Sequence, residues 1–183
     1  MDNLDTQTPQ STHPDYQSYI DQFNIDELEQ QILQGCRINS INGYVECVGR
    51  HAQSDKANKV ALVHEDTQGN IHKITYAQLD KLSGKMANLL TALGVKKGDR
   101  VSTMLPRTPN LLAVIVGAWR IGAVYQPLFT AFGVEAIEYR LEKAATKVVF
   151  TDSHNREKFN DINPLPNMAV SYTHLTLPTS DLV

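Results

Sequence analysis

In this 183-residue sequence, few side chains have the type and spacing expected of catalytic, ligand-binding or metal-binding residues. Arg107 is the best placed of them, because it follows the strand-like run Val101–Leu105, which Pro106 closes. Ligands of open α/β sheets bind at the carboxyl ends of the strands, so a charged side chain in such a loop is a candidate contact. The simpler interpretation, an exposed loop arginine without a ligand, stays open beside it.

The histidines and cysteines give no stronger signal. No acidic or nucleophilic residue stands at a telling distance from His51, so we expect a structural or solvent-exposed histidine. Cys36 and Cys47 lack a metal-ligand spacing such as CxxC and are expected to be reduced. Trp119 lies in a helix-like segment and is expected in the core, not on a ligand platform. The sequence therefore predicts no catalytic residue and no metal site.

The composition narrows the class of protein. With 42% hydrophobic residues, the chain can bury one core and carry an additional arm. A net charge of -3, with both signs interspersed, argues against nucleic acid and against a polybasic membrane contact. The acidic, polar start does not resemble a targeting peptide, and no apolar run approaches the ~20 residues of a membrane span. We expect a cytoplasmic protein.

Alternation of strand-like and helix-like segments predicts the fold. Three short apolar runs near residues 101–105, 123–126 and 147–151 are separated by two helix-like segments. This order predicts an α/β fold, in which right-handed crossovers place helices beside a parallel sheet. The second of these helices is predicted over residues 134–145. Its expected inner residues are Ala136, Ile137, Tyr139, Leu141 and Ala144.

A hairpin and a long helix are predicted ahead of that sheet. Val60–Glu65 and Ile71–Ile74 are strand-like and flank a turn that contains Gly and Asn, which favours a β-hairpin. Thr75 and Gln78 then have the spacing of a capping box. Apolar residues recur at steps of three and four up to Gly94, which can end a helix in the left-handed conformation.

Four segments, in order and at similar spacing, resemble the opening part of the adenylate-forming synthetases: Ile74–Asp80, Leu93–Val101, Leu105–Asn110 and Ala118–Pro127. The chain resembles acetyl- and related acyl-coenzyme A synthetases in particular, and Asn42–Ala52 resembles the arm of that subgroup. The resemblance implies an enzyme that converts a carboxylic acid and ATP to an acyl-adenylate and pyrophosphate, and then transfers the acyl group to coenzyme A. It implies ATP, Mg²⁺ and coenzyme A as cofactors of the full-length parent.

The same resemblance implies a partial coenzyme A site. Phe129 matches the aromatic residue of a loop that helps to bind the coenzyme A nucleotide in acetyl-type members. Thr130 and Ala131 stand where the family often has Gly or Ala. Arg156 matches an arginine after the third strand if one residue is deleted, and a guanidinium binds phosphate well. An exposed charge without a ligand is the alternative for Arg156.

The motifs that carry the family's chemistry are missing from the sequence. Neither a Gly/Ser/Thr-rich phosphate loop nor a small C-terminal domain with its catalytic lysine is recognisable after Thr151. We therefore expect the first third or less of an enzyme, which is inactive by itself and binds none of the three cofactors well. Ser171–Thr179 resembles the peptide that results when a sequencing adapter is translated by mistake.

These observations divide the chain into four expected parts: a disordered tail at 1–14, a helical N-terminal arm at 15–58, an incomplete AMP-binding synthetase domain at 59–168, and a non-native tail at 169–183. One alternative stays open, a self-contained, non-catalytic α/β module that binds a nucleotide or a partner. The open sheet edge of such a module would expose backbone and apolar surface, which argues against it.

Overall fold

Most of the chain folds into one α/β body that carries a helical arm. A computed structural model describes residues 15–35, 41–155, 158–159, 162 and 169–171. The expected tail at 1–14 lies outside these residues. So do Cys36, Arg156 and the adapter-like segment from residue 172 onward.

The described residues contain six α-helices and six strands, joined by turns and loops. The helices are α1 (Tyr16–Gln22), α2 (Ile25–Ile32), α3 (Arg50–Ala52), α4 (Tyr76–Ala92), α5 (Pro109–Arg120) and α6 (Val134–Ala144). The strands are β1 (Val60–Glu65), β2 (Ile71–Thr75), β3 (Arg100–Met104), β4 (Val124–Pro127), β5 (Val148–Thr151) and β6 (Ala169–Ser171). A π-helical turn over Val45–Gly49 leads into α3, and a 3-10 turn over Ser153–Asn155 follows β5.

The main sheet has four parallel strands in the order β4, β3, β5, β6. The predicted parallel sheet is therefore confirmed, and β6 adds a strand that was not predicted. Because β3 lies between β4 and β5, the two crossovers travel in opposite directions along the sheet. Right-handed crossovers in opposite directions place α5 and α6 on opposite faces.

Side-chain packing agrees with this two-faced arrangement. Val148 and Phe150 of β5 belong to a core cluster with residues of α4 and α5, whereas Val149 packs with Ile137 and Leu141 of α6. Successive side chains of a strand point to opposite faces, so both faces of the sheet are covered. The prediction that Tyr139 faces inward is wrong, because its side chain is 61% exposed. Two residues correspond to about 200° around a helix, which turns Tyr139 away from the Ile137 side.

The hairpin and the helix after it have the predicted form. β1 and β2 pair antiparallel in a sheet of their own. At the start of α4, the Gln78 amide donates to Thr75 Oγ1 (3.3 Å), and the Thr75 amide donates to Gln78 Oε1 (2.8 Å). This reciprocal pair is the predicted capping box. Beyond the other end, Gly94 has φ +79°, the left-handed conformation expected of it.

The arm consists of two unlike parts. Neither α1 nor α2 contains a buried residue. Residues 44–52, by contrast, contact the body: Val48 is 2% exposed and packs with Leu79 of α4 and Val116 of α5. Among the described residues, only the second part of the arm thus buries side chains against the body.

Candidate functional site

The carboxyl ends of β3 and β4 are the candidate ligand site that the topology of the sheet indicates. The loop at 105–108 leads from β3 to α5 on one face, and the loop at 128–133 leads from β4 to α6 on the other. A crevice opens where the connections of neighbouring parallel strands diverge in this way, and ligands of open α/β sheets bind there. Arg107 lies in the first loop, and Phe129, Thr130 and Ala131 lie in the second.

The second loop presents an aromatic ring on a fixed base. Leu128 is buried, and its amide donates to the carbonyl of Thr103 (2.8 Å), which continues the pairing of β4 with β3. The next side chain, Phe129, is 64% exposed and packs edge to face with the Phe132 ring, with the centroids 5.9 Å apart. Phe132 in turn lies under the guanidinium of Arg140, at 4.2 Å. An exposed ring held in this way can stack on a planar group.

A cation lies beside this loop that was not predicted from the sequence. Lys158 Nζ donates to the backbone carbonyl of Thr130 (2.6 Å). Its ammonium has further N–H groups, so it can also contact an anion at the loop. Arg156, the cation predicted for this position, lies outside the described residues, and its role stays a prediction. The only feature of the sequence that pointed to Lys158 was that it is a second basic residue two positions after Arg156.

Side chains at the end of β5 hold the carboxyl end of β3. Asn155 is 7% exposed, and its Nδ2 donates to Asp152 Oδ1 (2.9 Å) and to the carbonyl of Met104 (3.4 Å). Thr151 Oγ1 donates to the same Met104 carbonyl (3.4 Å). The final carbonyl of β3 is thus satisfied by side chains, which fixes the backbone from which the site loops depart.

Polar side chains within the sheet form hydrogen bonds between β4 and β3. Gln126 Oε1 accepts hydrogen bonds from Ser102 Oγ (2.6 Å) and Thr146 Oγ1 (2.8 Å). The hydroxyl groups of Thr103 and Tyr125 lie 2.8 Å apart, and burial raises the pKa of Tyr125. These groups satisfy one another in the interior, so we assign them a structural role.

The other residues singled out from the sequence lie elsewhere. Arg107 is exposed and lines a groove of about 300 Å³ together with His64 of the hairpin. Trp119 is half-buried and packs against the cluster around Val48, as expected of a core residue. The ring of His51 lies 4.9 Å from that of Tyr76, which gives this histidine a packing role.

A charged network that the sequence did not reveal joins residues 44–52 to the body. Arg120 Nη1 donates to Asp80 Oδ1 (2.7 Å), and its guanidinium lies 4.0 Å from the centroid of the Tyr44 ring. The Tyr44 hydroxyl donates to the same Asp80 oxygen (2.7 Å). Burial and this hydrogen bond raise the pKa of Tyr44. The only available signal was that Arg120 is the one charged residue in an otherwise apolar helical stretch.

The described residues offer little else for metal or membrane binding. Among them, no group of three or more His, Cys, Asp or Glu side chains could hold a metal ion. Cys47 is an exposed free thiol. In the same part of the chain, each helix is too short or too polar to cross a bilayer.

Comparison with known proteins assigns the family. Residues 49–180, well over half of the chain, match the family described as AMP-binding enzyme. The chain belongs to the AMP-binding enzyme family. Its α/β fold and the exposed loop at the carboxyl edge of its sheet are therefore features of an AMP-binding enzyme chain.

Relatives of this AMP-binding chain include coenzyme A synthetases. Acetyl-coenzyme A synthetase of Bacillus subtilis is 38% identical over 129 residues, which cover 70% of this chain and 22% of the relative. 3-hydroxypropionyl-coenzyme A synthetase of Metallosphaera sedula is 38% identical over 111 residues, or 61% of this chain and 17% of the relative. The chain spans about a fifth of the length of these curated relatives.

A solved structure extends the similarity to the fold. The crystal structure of Brucella canis acyl-CoA synthetase matches with a TM-score of 0.79 and 37% identity. The match covers 91% of this chain and 30% of that one. The resemblance to acyl-coenzyme A synthetases seen in the sequence is thus confirmed.

Proposed function

We propose that this chain is part of an ATP-dependent acyl-coenzyme A synthetase. The complete enzyme converts a small carboxylic acid and ATP to an acyl-adenylate and pyrophosphate, and then transfers the acyl group to coenzyme A. The observation that carries this proposal is the similarity to acetyl- and acyl-coenzyme A synthetases along most of the chain.

The contribution of this chain to such an enzyme is a contact for coenzyme A. The exposed ring of Phe129 stacks on the adenine, because an aromatic face can stack on a base without hydrogen bonds to the edge of that base. Thr130 and Ala131 are exposed next to it and line the approach. Lys158, and Arg156 by resemblance, supply positive charge for the phosphates.

Activation of the acid requires groups beyond this contact. In the family, Mg²⁺ and basic groups neutralise the charge that develops while the carboxylate attacks the α-phosphate. The described residues offer no cluster of ligands for that ion, so we derive no step through it. The sequence also lacks a recognisable phosphate loop. We therefore expect that the 183-residue chain alone does not form an acyl-adenylate.

A direct assay tests the expected inactivity. The purified chain is supplied with acetate or propionate, ATP, Mg²⁺ and coenzyme A, and pyrophosphate release is measured. We expect no release above a buffer control. Release that depends on the acid would overturn this part of the proposal and would place a complete active site within the 183 residues.

A chimera tests the assignment to the synthetases and the role of Phe129. The matched segment of Bacillus subtilis acetyl-coenzyme A synthetase is replaced by that of this chain, and acetate-dependent exchange of pyrophosphate into ATP is measured. This half-reaction does not require coenzyme A, so Phe129→Ala should leave it unchanged. The same substitution should raise KM for coenzyme A by roughly tenfold, since base stacking contributes about 1–3 kcal/mol.

Tyr139→Ala is the matched control for that substitution. Tyr139 is 61% exposed, close to the 64% of Phe129, but projects from α6. We expect no change of KM for coenzyme A. A chimera that folds but does not catalyse the exchange would contradict the proposed function and favour the non-catalytic module.

A further inference from the structure

A basic groove lies between the hairpin and α4, apart from the proposed coenzyme A contact. Its volume is about 750 Å³, and Lys73 of β2 and Lys81 and Lys85 of α4 line it, with no Asp or Glu among the lining residues. None of the three ammonium groups forms an ion pair with the described part of the chain. Like charges gathered around one groove repel one another, so an anionic occupant would be favoured.

The groove also has an apolar surface, which restricts the class of occupant. Ile71 is 54% exposed there, and Ile74 and Leu82 line the groove as half-buried side chains. A small inorganic anion would leave these apolar groups in water. An amphipathic segment that carries carboxylates beside an apolar stripe would cover the apolar surface and neutralise the lysines.

The chain itself contains a segment of this composition. Residues 15–35 include five Asp and Glu residues and no Lys, Arg or His. α1 and α2, which make up most of this segment, bury no residue. Seven apolar side chains of the segment stand 37–75% exposed: Tyr16, Tyr19, Ile20, Phe23, Ile25, Leu28 and Ile32.

We propose that the α1–α2 segment of one copy docks into the basic groove of a second copy. Each chain has one acidic segment and one basic groove, so two chains can exchange segments reciprocally around a two-fold axis, which closes the assembly. Reciprocity also doubles the contact made by a short segment and brings it nearer to the roughly 1,200–2,000 Å² of specific interfaces. Opposite charges on the two surfaces select this pairing over contact between two grooves.

Sedimentation of the full 183-residue chain over a range of concentrations tests the proposal. We expect a monomer–dimer equilibrium. Lys81→Glu with Lys85→Glu should raise the dissociation constant by about tenfold or more, because like charges would then face each other. The control, Lys96→Glu with Lys143→Glu, makes the same change of net charge outside the groove and should leave the constant within about twofold.

Exchanging the charges of the segment and the groove shows whether a loss of the dimer comes from the lost charge pairing or from misfolding of a single variant. Asp21→Lys with Glu29→Lys, added to the chain that carries Lys81→Glu and Lys85→Glu, should restore the dimer. Both acidic residues lie near the C-terminal ends of their helices, where lysine is well tolerated. A monomer at every concentration, a dimer that Lys81→Glu with Lys85→Glu leaves intact, or no restoration by the exchange would each overturn the proposal.

Discussion

Residues 16–32 and residues 44–52 belong to one predicted arm, yet they meet the body of the protein differently. The first part buries no side chain. The second part places Val48 in an apolar cluster and Tyr44 in a network with Asp80 and Arg120. The difference shows that amphipathic spacing alone does not attach a helix. Attachment requires partners of matching shape and charge on the surface that it meets.

Glu46 and Arg50 connect the two parts. Glu46 accepts hydrogen bonds from the amides of Gln34 (3.0 Å) and Gly35 (2.9 Å) and from Arg50 Nη1 (3.0 Å). Arg50 also donates to the carbonyl of Ile32, the last residue of α2. The exposed helices are thus held at one end by the packed segment.

The largest effect is expected where the packed segment enters the core. Val48→Asp would bury a carboxylate between the apolar side chains of Leu79 and Val116, so we expect a loss of about 3 kcal/mol or more in the free energy of unfolding. Urea denaturation followed by circular dichroism measures it.

The matched substitution in the exposed helices is Ile25→Asp. Ile25 is 47% exposed at the first position of α2, where an acidic residue is favourable. Measured at low protein concentration, it should change the free energy of unfolding by less than about 0.5 kcal/mol. Equal effects of the two substitutions would remove the distinction between the two parts of the arm.

An intermediate effect is expected from the charged network. Arg120→Met leaves the half-buried Asp80 carboxylate without its guanidinium, and we expect a loss of about 1–3 kcal/mol. The control is Arg140→Met. Arg140 also lies over an aromatic ring, and its Nη1 donates to a carbonyl of its own helix, so its loss should cost less than about 1 kcal/mol. Thermal unfolding of the two variants side by side compares them, and an equal loss would assign the effect to ring stacking alone.

The smallest effect on global stability is expected at Glu46. Its carboxylate should instead stabilise the backbone locally, to an extent that depends on pH. Burial alone would raise the pKa of Glu46, but the hydrogen bonds from Gln34, Gly35 and Arg50 outweigh it and lower the pKa below 4.5. The contribution of the carboxylate is therefore fully present above pH 4.5 and is lost as the pH falls through the lowered pKa.

Amide exchange of Gln34 and Gly35 reports this local effect. Glu46→Gln should accelerate it by about tenfold at neutral pH, while global unfolding changes little. Glu27→Gln alters a carboxylate that contacts Asn24 within the exposed helices, and it should leave these two amides unaffected. Unchanged exchange in Glu46→Gln would mean that the carboxylate does not hold the two parts together.

The elements that the sequence predicted are those whose causes lie close together in the chain. The capping box of α4 needs only Thr75 and Gln78, and the hairpin needs its turn and two short strands. Asp80 and Arg120 meet across 40 positions, and no local pattern reveals such a pair. The error at Tyr139 is of another kind. The apolar character of Tyr139 suits an inner position, but its rotational position does not, because Ile137 and Leu141 define the inner side of α6.

The candidate site was predictable to a similar degree. Its expected position at the carboxyl ends of the strands followed from the predicted parallel sheet, and Phe129–Ala131 followed from a family resemblance. Lys158 was missed because its contact with the Thr130 carbonyl spans 28 positions and involves a flexible side chain. The roles of Phe129, Thr130, Ala131 and Arg156 in coenzyme A binding stay predictions.

The close contact of α4 with α5 has a mechanical consequence. A Cβ atom at Gly117 would lie 2.8 Å from Met86 Cβ and 3.1 Å from the Ser83 carbonyl, so there is no gap into which one helix could slide. α5 begins just after the loop at 105–108, and α4 carries Leu79 and Asp80, on which residues 44–52 rest. The tightly packed pair thus links, through direct contacts, the loop at the carboxyl edge of the sheet to the residues on which the base of the arm rests, and any side chain larger than glycine at position 117 would force the two helices apart.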